Sequence, residues 1–317
     1  MLLLKYPFPH VDELAEILNR LAPQEIGIVK SAALKLWQQW HQEGSLLLVR
    51  IDSIAQDGSL QLCAIGATVW LTDEAVTALS VATTDSRTQR VYQAAFFPHA
   101  WVMSASEIAI AHEKSKLNLM ILHFWSAVEV SSAAFHPVFL QANVSFRDLH
   151  QGFGVQKLLQ ECPSQNVPFL LAAGMHIVHS TDGQVFDGLV WMEINAEGAR
   201  ANPGGTLSFL FFSPAWQLKL KPAVQRMLLL ALRQLTDEEI AFALGCSRDY
   251  VRKLWTDAYG HILQVDALAS IEAIDVRSKS ISIANPKRGR ERRRHALDFF
   301  RSNPHELRPG LYKKIPS

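Results

Sequence analysis

The chain has 317 residues, 49% of them hydrophobic, with a mean hydropathy of +0.06 and a formal net charge of +1. That apolar content excludes wholesale disorder, and no apolar run approaches the roughly eighteen residues of a membrane span. Three widely spaced cysteines, Cys63, Cys162 and Cys246, argue against a disulfide framework or a zinc site and fit a reducing cytoplasm.

Met1 to Leu4 is too short for the apolar core of a signal peptide, and Asp12 and Glu13 follow soon after. The net charge conceals a split. Residues 217–317 hold 19 Lys+Arg and 11 Asp+Glu, whereas residues 1–216 hold 12 and 19. A polyanion would be met by the C-terminal third.

In chain order, Val11 to Leu21 has helical spacing, and Pro23 opens a second helix over Gln24 to Gln42 with Ile28, Ala32, Leu36 and Trp40 on one side. Ser45–Ala55 and Ser59–Leu71 are strand-like runs joined by the turn residues Gln56, Asp57 and Gly58. Thr72 caps a short helix. Helices follow over Thr88–Ala95 and Ser104–Lys114, the latter with a capping box of Ser104 and Glu107. Leu117–Phe124 and Ala127–Val130 read as strands.

A second block follows Pro137. Phe146–Cys162 reads as one or two helices interrupted at Gly152 and Gly154. Phe169–His179 reads as a strand that turns at Thr181, Asp182 and Gly183 into Gln184–Asn195, and Thr206–Phe212 reads as a last strand. Helices alternating with hairpins give a mixed domain with a largely antiparallel sheet. This arrangement loosely resembles the GAF and PAS classes of sensor domain, with Ala142, Asn143 and Phe146 inside Phe139–Leu159 carrying the PAS-like look.

Leu235–Tyr259 (LTDEEIAFALGCSRDYVRKLWTDAY) carries the densest local pattern. Thr236 and Glu239 form a capping box that starts a helix at Asp237, and Gly245 supplies the positive φ that ends it. Ser247 caps the next helix, in which Val251, Leu254, Trp255 and Ala258 share one side while Asp249, Lys253 and Thr256 point outward, flanked by Tyr250 and Arg252. Two short helices locked across a glycine turn make a helix-turn-helix.

The run resembles the LuxR/GerE-type helix-turn-helix of bacterial transcription regulators, roughly L-T-x-x-E-I-A-x-x-L-x-x-S-x-x-T-V-K, through Leu235, Thr236, Glu239, Ile240, Ala241, Leu244, Ser247, Val251 and Arg252. Val224–Gln234 stands where that family has its first scaffold helix. Tyr250 and Leu254 depart from the pattern. The resemblance covers about forty residues. Downstream, Lys287–Arg294 (KRGRERRR) is a dense basic run suited to phosphates.

Other features carry weaker chemistry. His176 and His179 would lie on opposite faces of a strand and could not share a metal without distortion. Cys162-Pro163 resembles the short signature of some haem-responsive proteins, but an incidental buried cysteine is the commoner explanation. Gly152-Phe153-Gly154 lacks the third glycine and the lysine of a phosphate loop. No cofactor, metal or catalytic set is therefore expected. The many aromatic residues of the N-terminal part would suffice for either an apolar ligand pocket or an ordinary core.

The resulting expectation is an α+β chain. A mixed α/β sensor-like region over 1–216, either one domain or two subdomains meeting near 135, precedes an all-α helix-turn-helix domain over 217–264 and a basic extension with a short helix over 265–317. Its function would be that of a cytoplasmic transcription regulator, not an enzyme. A homodimer would bind double-stranded DNA, and the N-terminal domain would sense a small-molecule or protein ligand. Asp249, Tyr250, Arg252, Lys253 and Thr256 would face bases, while Thr236, Arg248, Lys287, Arg288, Arg290, Arg292, Arg293 and Arg294 would meet phosphates. The alternatives are an interaction or dimerisation module without specific DNA binding, and an enzyme domain fused to the helix-turn-helix.

Overall fold

The fold is described from a computed structural model of the whole chain. It describes all residues except 1–2, 7–12, 22–25, 27, 56, 82–85, 97–100, 130–131, 179–187, 213–217, 233, 275–289 and 310–317. The chain divides into two compact units, Met1–Ser213 and Pro214–Ser317.

The first unit is built on one seven-stranded sheet of order β1-β2-β3-β4-β5-β7-β6. Its strands are β1 (Leu3–Tyr6), β2 (Leu46–Ile54), β3 (Leu60–Leu71), β4 (Leu117–Ser126), β5 (Val155–Pro163), β6 (His176–Ile177) and β7 (Leu189–Asn195). The β2–β3 hairpin forms as the alternating runs predict, and Asp57 accepts the Ser59 amide in its turn. Every pairing is antiparallel except β4 with β5.

Along β3 the side chains sort by parity, as a pleated strand requires. Ile65, Ala67, Val69 and Leu71 belong to the main core, together with Leu14, Ile17 and Leu18 of α1 (Leu14–Arg20) and Trp37 and Trp40 of α2 (Lys30–Glu43). The inserted helices α3 (Asp73–Ser80) and α4 (Arg87–Ala94) add Leu79, Val91 and Tyr92 to that face. α5 (Ala105–Glu113) then precedes β4, and its capping box of Ser104 and Glu107 is formed. The other face bears Thr68 and Trp70. It is covered by the end of α6 (Phe135–His150), where His150 Nε2 lies 2.8 Å from Thr68 Oγ1 and Trp70 packs on Phe153.

Several expected elements change type. Phe146–Cys162 is not helical throughout: α6 ends at His150, and the chain becomes β5 at Val155. Gly152 (φ 93°) turns the chain, and a Cβ on Gly154 would meet the His112 carbonyl at 2.6 Å, so the glycines serve close backbone approach rather than a phosphate. Pro168, compatible with a first helical turn, opens the short α7 (Val167–Ala172) where a strand is predicted, leaving only His176–Ile177 as β6. Residues 127–129 form a loop where a strand is predicted, with residue 130 outside the described set. Thr206–Phe212 contains a 3₁₀ turn at Ser208–Leu210 after α8 (Ala196–Ala201).

The fold-class expectation is corrected accordingly. In place of a sensor-like, GAF- or PAS-like set of hairpins, the sheet is continuous and mixed. Its middle is a parallel pair that only a helical crossover, here α6, can connect.

The second unit is helical: α9 (Pro222–Leu232), α10 (Asp237–Leu244), α11 (Arg248–Ile274) and α12 (Arg290–Ser302), with a 3₁₀ turn at Pro304–Leu307. Val224, Met227, Leu228, Ile240, Val251, Leu254, Trp255, Ala258 and Phe300 form its core. No helix among the described residues is long and apolar enough to cross a membrane.

Candidate functional site

The site is set by where β4 and β5 part. Their parallel register runs from Leu117↔Val155 to Ile121↔Gln160 and stops there. Yet β4 continues to Ser126, still paired with β3, and β5 continues to Pro163, still paired with β7. The sheet therefore opens into a gap at the carboxyl ends of its parallel pair, flanked by Leu122–Ser126 on one side and Glu161–Pro163 on the other. Ligands of α/β sheets gather at the carboxyl ends of strands where topology forces neighbours apart.

A bulge tunes the β4 side. Thr68 pairs with Ile121 but Ala67 pairs with His123, so Leu122 is an extra residue that bends the strand away. Beyond it His123 and Trp125 turn to the core face, and Phe124 turns to the α6 face.

On the core face, Trp37 Nε1 donates to the Tyr92 hydroxyl (2.9 Å), which lies 2.8 Å from His123 Nε2. Burial pushes the His123 value down to about 3, so the imidazole is neutral near pH 7. On the same face Glu161 receives the start of α4: Ser86 Oγ (2.5 Å), the Arg87 amide (3.0 Å) and the Thr88 amide (3.2 Å) all donate to its carboxylate. The Arg87 guanidinium lies 3.8 Å from Glu161 Oε1 and 5.1 Å from the centre of the Trp191 ring. Burial lowers the Arg87 value, opposed by the Glu161 charge. With both oxygens engaged, Glu161 anchors the inserted helix and is not a free base.

On the α6 face the gap is bordered by phenylalanines. Phe139 stacks with Phe135 (5.5 Å), meets Phe124 of β4 (6.5 Å) and meets Phe169 of α7 (6.4 Å). Phe124 is 40% and Phe169 50% exposed, so an apolar surface reaches solvent beside the gap. The amino end of α6 offers few donors: Ser132 accepts the Ala134 and Phe135 amides, and Pro137 has none. Hydrogen bonds to a ligand would come from the strand edges and the side chains near them.

The sequence-predicted residues lie elsewhere, in the second unit. Thr236 is consumed in the capping box with Glu239, which holds the Glu239 value below the usual carboxylate range. Asp249 pairs with Arg252 (2.9 Å), and Arg248 pairs with Glu238 (2.6 Å). Arg293 turns inward, donating to Asp237 (2.8 Å) and the Leu235 carbonyl (3.1 Å) and lying over the Trp255 ring at 4.7 Å. Arg292 lies over Tyr259 at 5.7 Å. Thr256 donates to the carbonyl of Arg252 (3.1 Å). Lys253 and Arg294 are exposed, and Tyr250 is 45% exposed. Lys287 and Arg288 lie outside the described residues, as does the side chain of Arg290.

The weaker candidates resolve simply. His176 is exposed, 3.4 Å from Glu193, and His179 is not described. Among the described residues no group of three ligating side chains gathers for a metal. Cys162 is buried beside Met192 (3.8 Å between sulfurs), and burial pushes its thiol up to about 11, the neutral state of a packing residue.

No family model matches the chain, and no curated protein matches it. Similar solved structures include mutant forms of the spermidine/spermine N-acetyltransferase SpeG from Vibrio cholerae, at 11% identity and a TM-score of 0.35 over 63% of this chain and 98% of that one. An uncharacterised protein from Bacillus halodurans gives 9% identity and a TM-score of 0.35, over 66% and 92%. A chimera of the Vibrio cholerae SpeG with hSSAT gives 11% and 0.33, over 61% and 95%. A likeness of this size assigns no activity by itself.

The named neighbours are acetyltransferases rather than LuxR/GerE regulators, and on that finding the expectations of a transcription regulator, of a DNA-bound homodimer and of a chain that is not an enzyme are corrected. The physical reason is visible in the second unit. The capping and core pattern of Leu235–Tyr259 specifies how helices pack, and it does so whatever the outer face meets. On that face Arg248 and Arg252 are already matched by Glu238 and Asp249, and Arg293 of α12 is turned inward onto Asp237.

Proposed function

We propose that the first unit is an acyltransferase. It takes an acyl thioester on an amide-bearing arm, acyl-coenzyme A being the simplest, in the gap between β4 and β5, and passes the acyl group to an amine. The observation that carries this reading is the end of the β4–β5 register at Ile121/Gln160 while both strands continue. Two facing strand edges without a ladder between them suit an extended ligand with its own amide groups, which completes the pairing much as an added strand would. The phenylalanines of the α6 face would cover the apolar parts of such an arm.

In the transfer, the acceptor nitrogen forms a bond to the thioester carbonyl carbon. The C–S bond breaks, its electron pair leaves on sulfur, and the proton lost by nitrogen ends on the thiolate. Glu161 is engaged and His123 is a weak base, so the contribution of this chain is alignment and exclusion of water rather than strong general-base assistance. The acidic balance of residues 1–216, 19 acidic against 12 basic, favours a cationic acceptor. The three free cysteines agree with work in a reducing cytoplasm.

The test is titration calorimetry of the full chain with coenzyme A and with acetyl-coenzyme A, followed by thiol release from acetyl-coenzyme A in the presence of primary amines and polyamines. Saturable binding and amine-dependent thiol release are expected. Absence of binding at millimolar thioester overturns the reading.

A further inference from the structure

Two buried polar atoms with no hydrogen-bond partner among the described residues lie at the level where the sheet opens, one on each face, Gln160 on the strand that lines the gap and Trp191 on the next strand, β7. Gln160 Oε1 belongs to the last residue of β5 still in register with β4. Trp191 Nε1 belongs to the β7 residue directly opposite Glu161, the first β5 residue past the end of that register. Successive residues of a strand face opposite ways. Gln160 shares the α6 face with Cys162 and Met192, whereas Trp191 shares the core face with Leu159, Glu161 and Arg87.

Buried donors and acceptors without partners are rare, and each asks for an explanation. Trp70 Nε1 is also unpartnered, but Trp70 stands opposite Leu119, where β4 and β5 are still paired. Only Gln160 and Trp191 fall, among the unpartnered side chains of the described first unit, at the level where the sheet opens. One atom is an acceptor and the other can only donate.

We infer that Gln160 and Trp191 hold a thioester as it crosses the sheet, Gln160 accepting an amide N–H of the arm on the α6 face and Trp191 donating to the acyl carbonyl oxygen on the core face. This rests on the acyltransferase reading and deepens it by naming the side chains that distinguish arm from acyl group. Negative charge grows on the carbonyl oxygen as the acceptor nitrogen attacks. An indole N–H that donates to that oxygen stabilises this charge, and as a buried group without another partner it has no competing bond to give up. The phenyl ring of a Trp191→Phe variant keeps the ring surface under Arg87 and removes only the donor.

The test is calorimetric titration of full-length wild type, Trp191→Phe and Gln160→Leu with coenzyme A and with acetyl-coenzyme A. Trp191→Phe should bind coenzyme A as wild type does and acetyl-coenzyme A about ten-fold more weakly, the loss of one hydrogen bond. Gln160→Leu should weaken both by about ten-fold. Should Trp191→Phe lower both affinities equally, or neither, the assignment of the acyl carbonyl falls while the acyltransferase reading stands. Wild type that binds neither compound removes both. A second measurement covers a variant that folds poorly. In ¹⁵N-labelled wild type, the Trp191 side-chain N–H resonance should shift with acetyl-coenzyme A and not with coenzyme A, and a resonance unmoved by either overturns the proposal.

Discussion

The two units differ in how their elements are delimited. In the second unit α10 and the start of α11 are delimited by neighbouring residues: Thr236 and Glu239 start α10, Gly245 at φ 62° ends it, and Ser247 accepts the Tyr250 amide to start α11. In the first unit the decisive neighbours are distant. β5 lies between β4, reached only across α6, and β7, while Glu161 on β5 secures the start of α4 more than seventy residues earlier. Short-range rules make the second unit easy to read, and long-range pairing makes the gap that a ligand could enter. Legibility and the proposed site therefore fall in different units.

The largest expected effects separate the halves. Phe300→Ala empties a fully buried site in the second core and should destabilise that unit by about 4 kcal/mol, leaving acetyl-coenzyme A affinity unchanged. Gly154→Ala presses a methyl against the His112 carbonyl and Ser115 Cα at the start of β5, both backbone, and should cost the first unit about 3 kcal/mol and abolish binding. Scanning calorimetry of the full chain checks both. Two transitions that move separately sustain the comparison, and a single transition that moves with either variant breaks it.

Acid sharpens the contrast through His123. Its folded value, about 3, lies below the ordinary 6.5, so the folded state binds fewer protons than the unfolded one between those limits. The associated stability is complete above about pH 6.5 and is lost as pH falls toward 3, roughly ten-fold in the folded-to-unfolded ratio per pH unit. His123→Gln should flatten the acid limb of the first unit. Trp37 and Tyr92, which face it, do not titrate in that range. Urea unfolding between pH 4 and 7 measures it, and parallel acid limbs for variant and wild type would assign the sensitivity to other groups.

What the sequence showed follows the same division. The β2–β3 hairpin, the capping boxes at Ser104 and Thr236, and the glycine stop at Gly245 depend on residues within a few positions of each other, and they form where the local pattern puts them. β5 was hidden because LQECP after a glycine pair suits a helix or a strand alike, and only pairing with β4 and β7 decides it. α7 was hidden because PFLLAAGM is apolar enough for a strand, while Pro168 is equally at home in a first helical turn. Gln160 and Trp191 carry no local signal at all. Val155, Leu158, Leu159 and Cys162 recur at i, i+3, i+4 and i+7, the spacing of a helix, and nothing short of the register places Gln160 beside a gap.

The smallest expected effect tests whether the capping residues of the second unit have any part in the first. Thr236 Oγ1 accepts the Glu239 amide at 3.3 Å, and the Glu239 carboxylate takes the Thr236 amide at 2.7 Å, on an exposed helix start. Thr236→Ala removes one of the two reciprocal bonds and should cost about 1 kcal/mol, a few degrees in the midpoint of the second unit. Thr236→Ser keeps the oxygen and should restore most of it. Acetyl-coenzyme A affinity should be the same in all three proteins, because the gap between β4 and β5 is defined by pairings within Met1–Ser213. An affinity that followed the cap, falling in the alanine variant and returning in the serine variant, would show that the unit whose helices are easiest to read from sequence also governs the site.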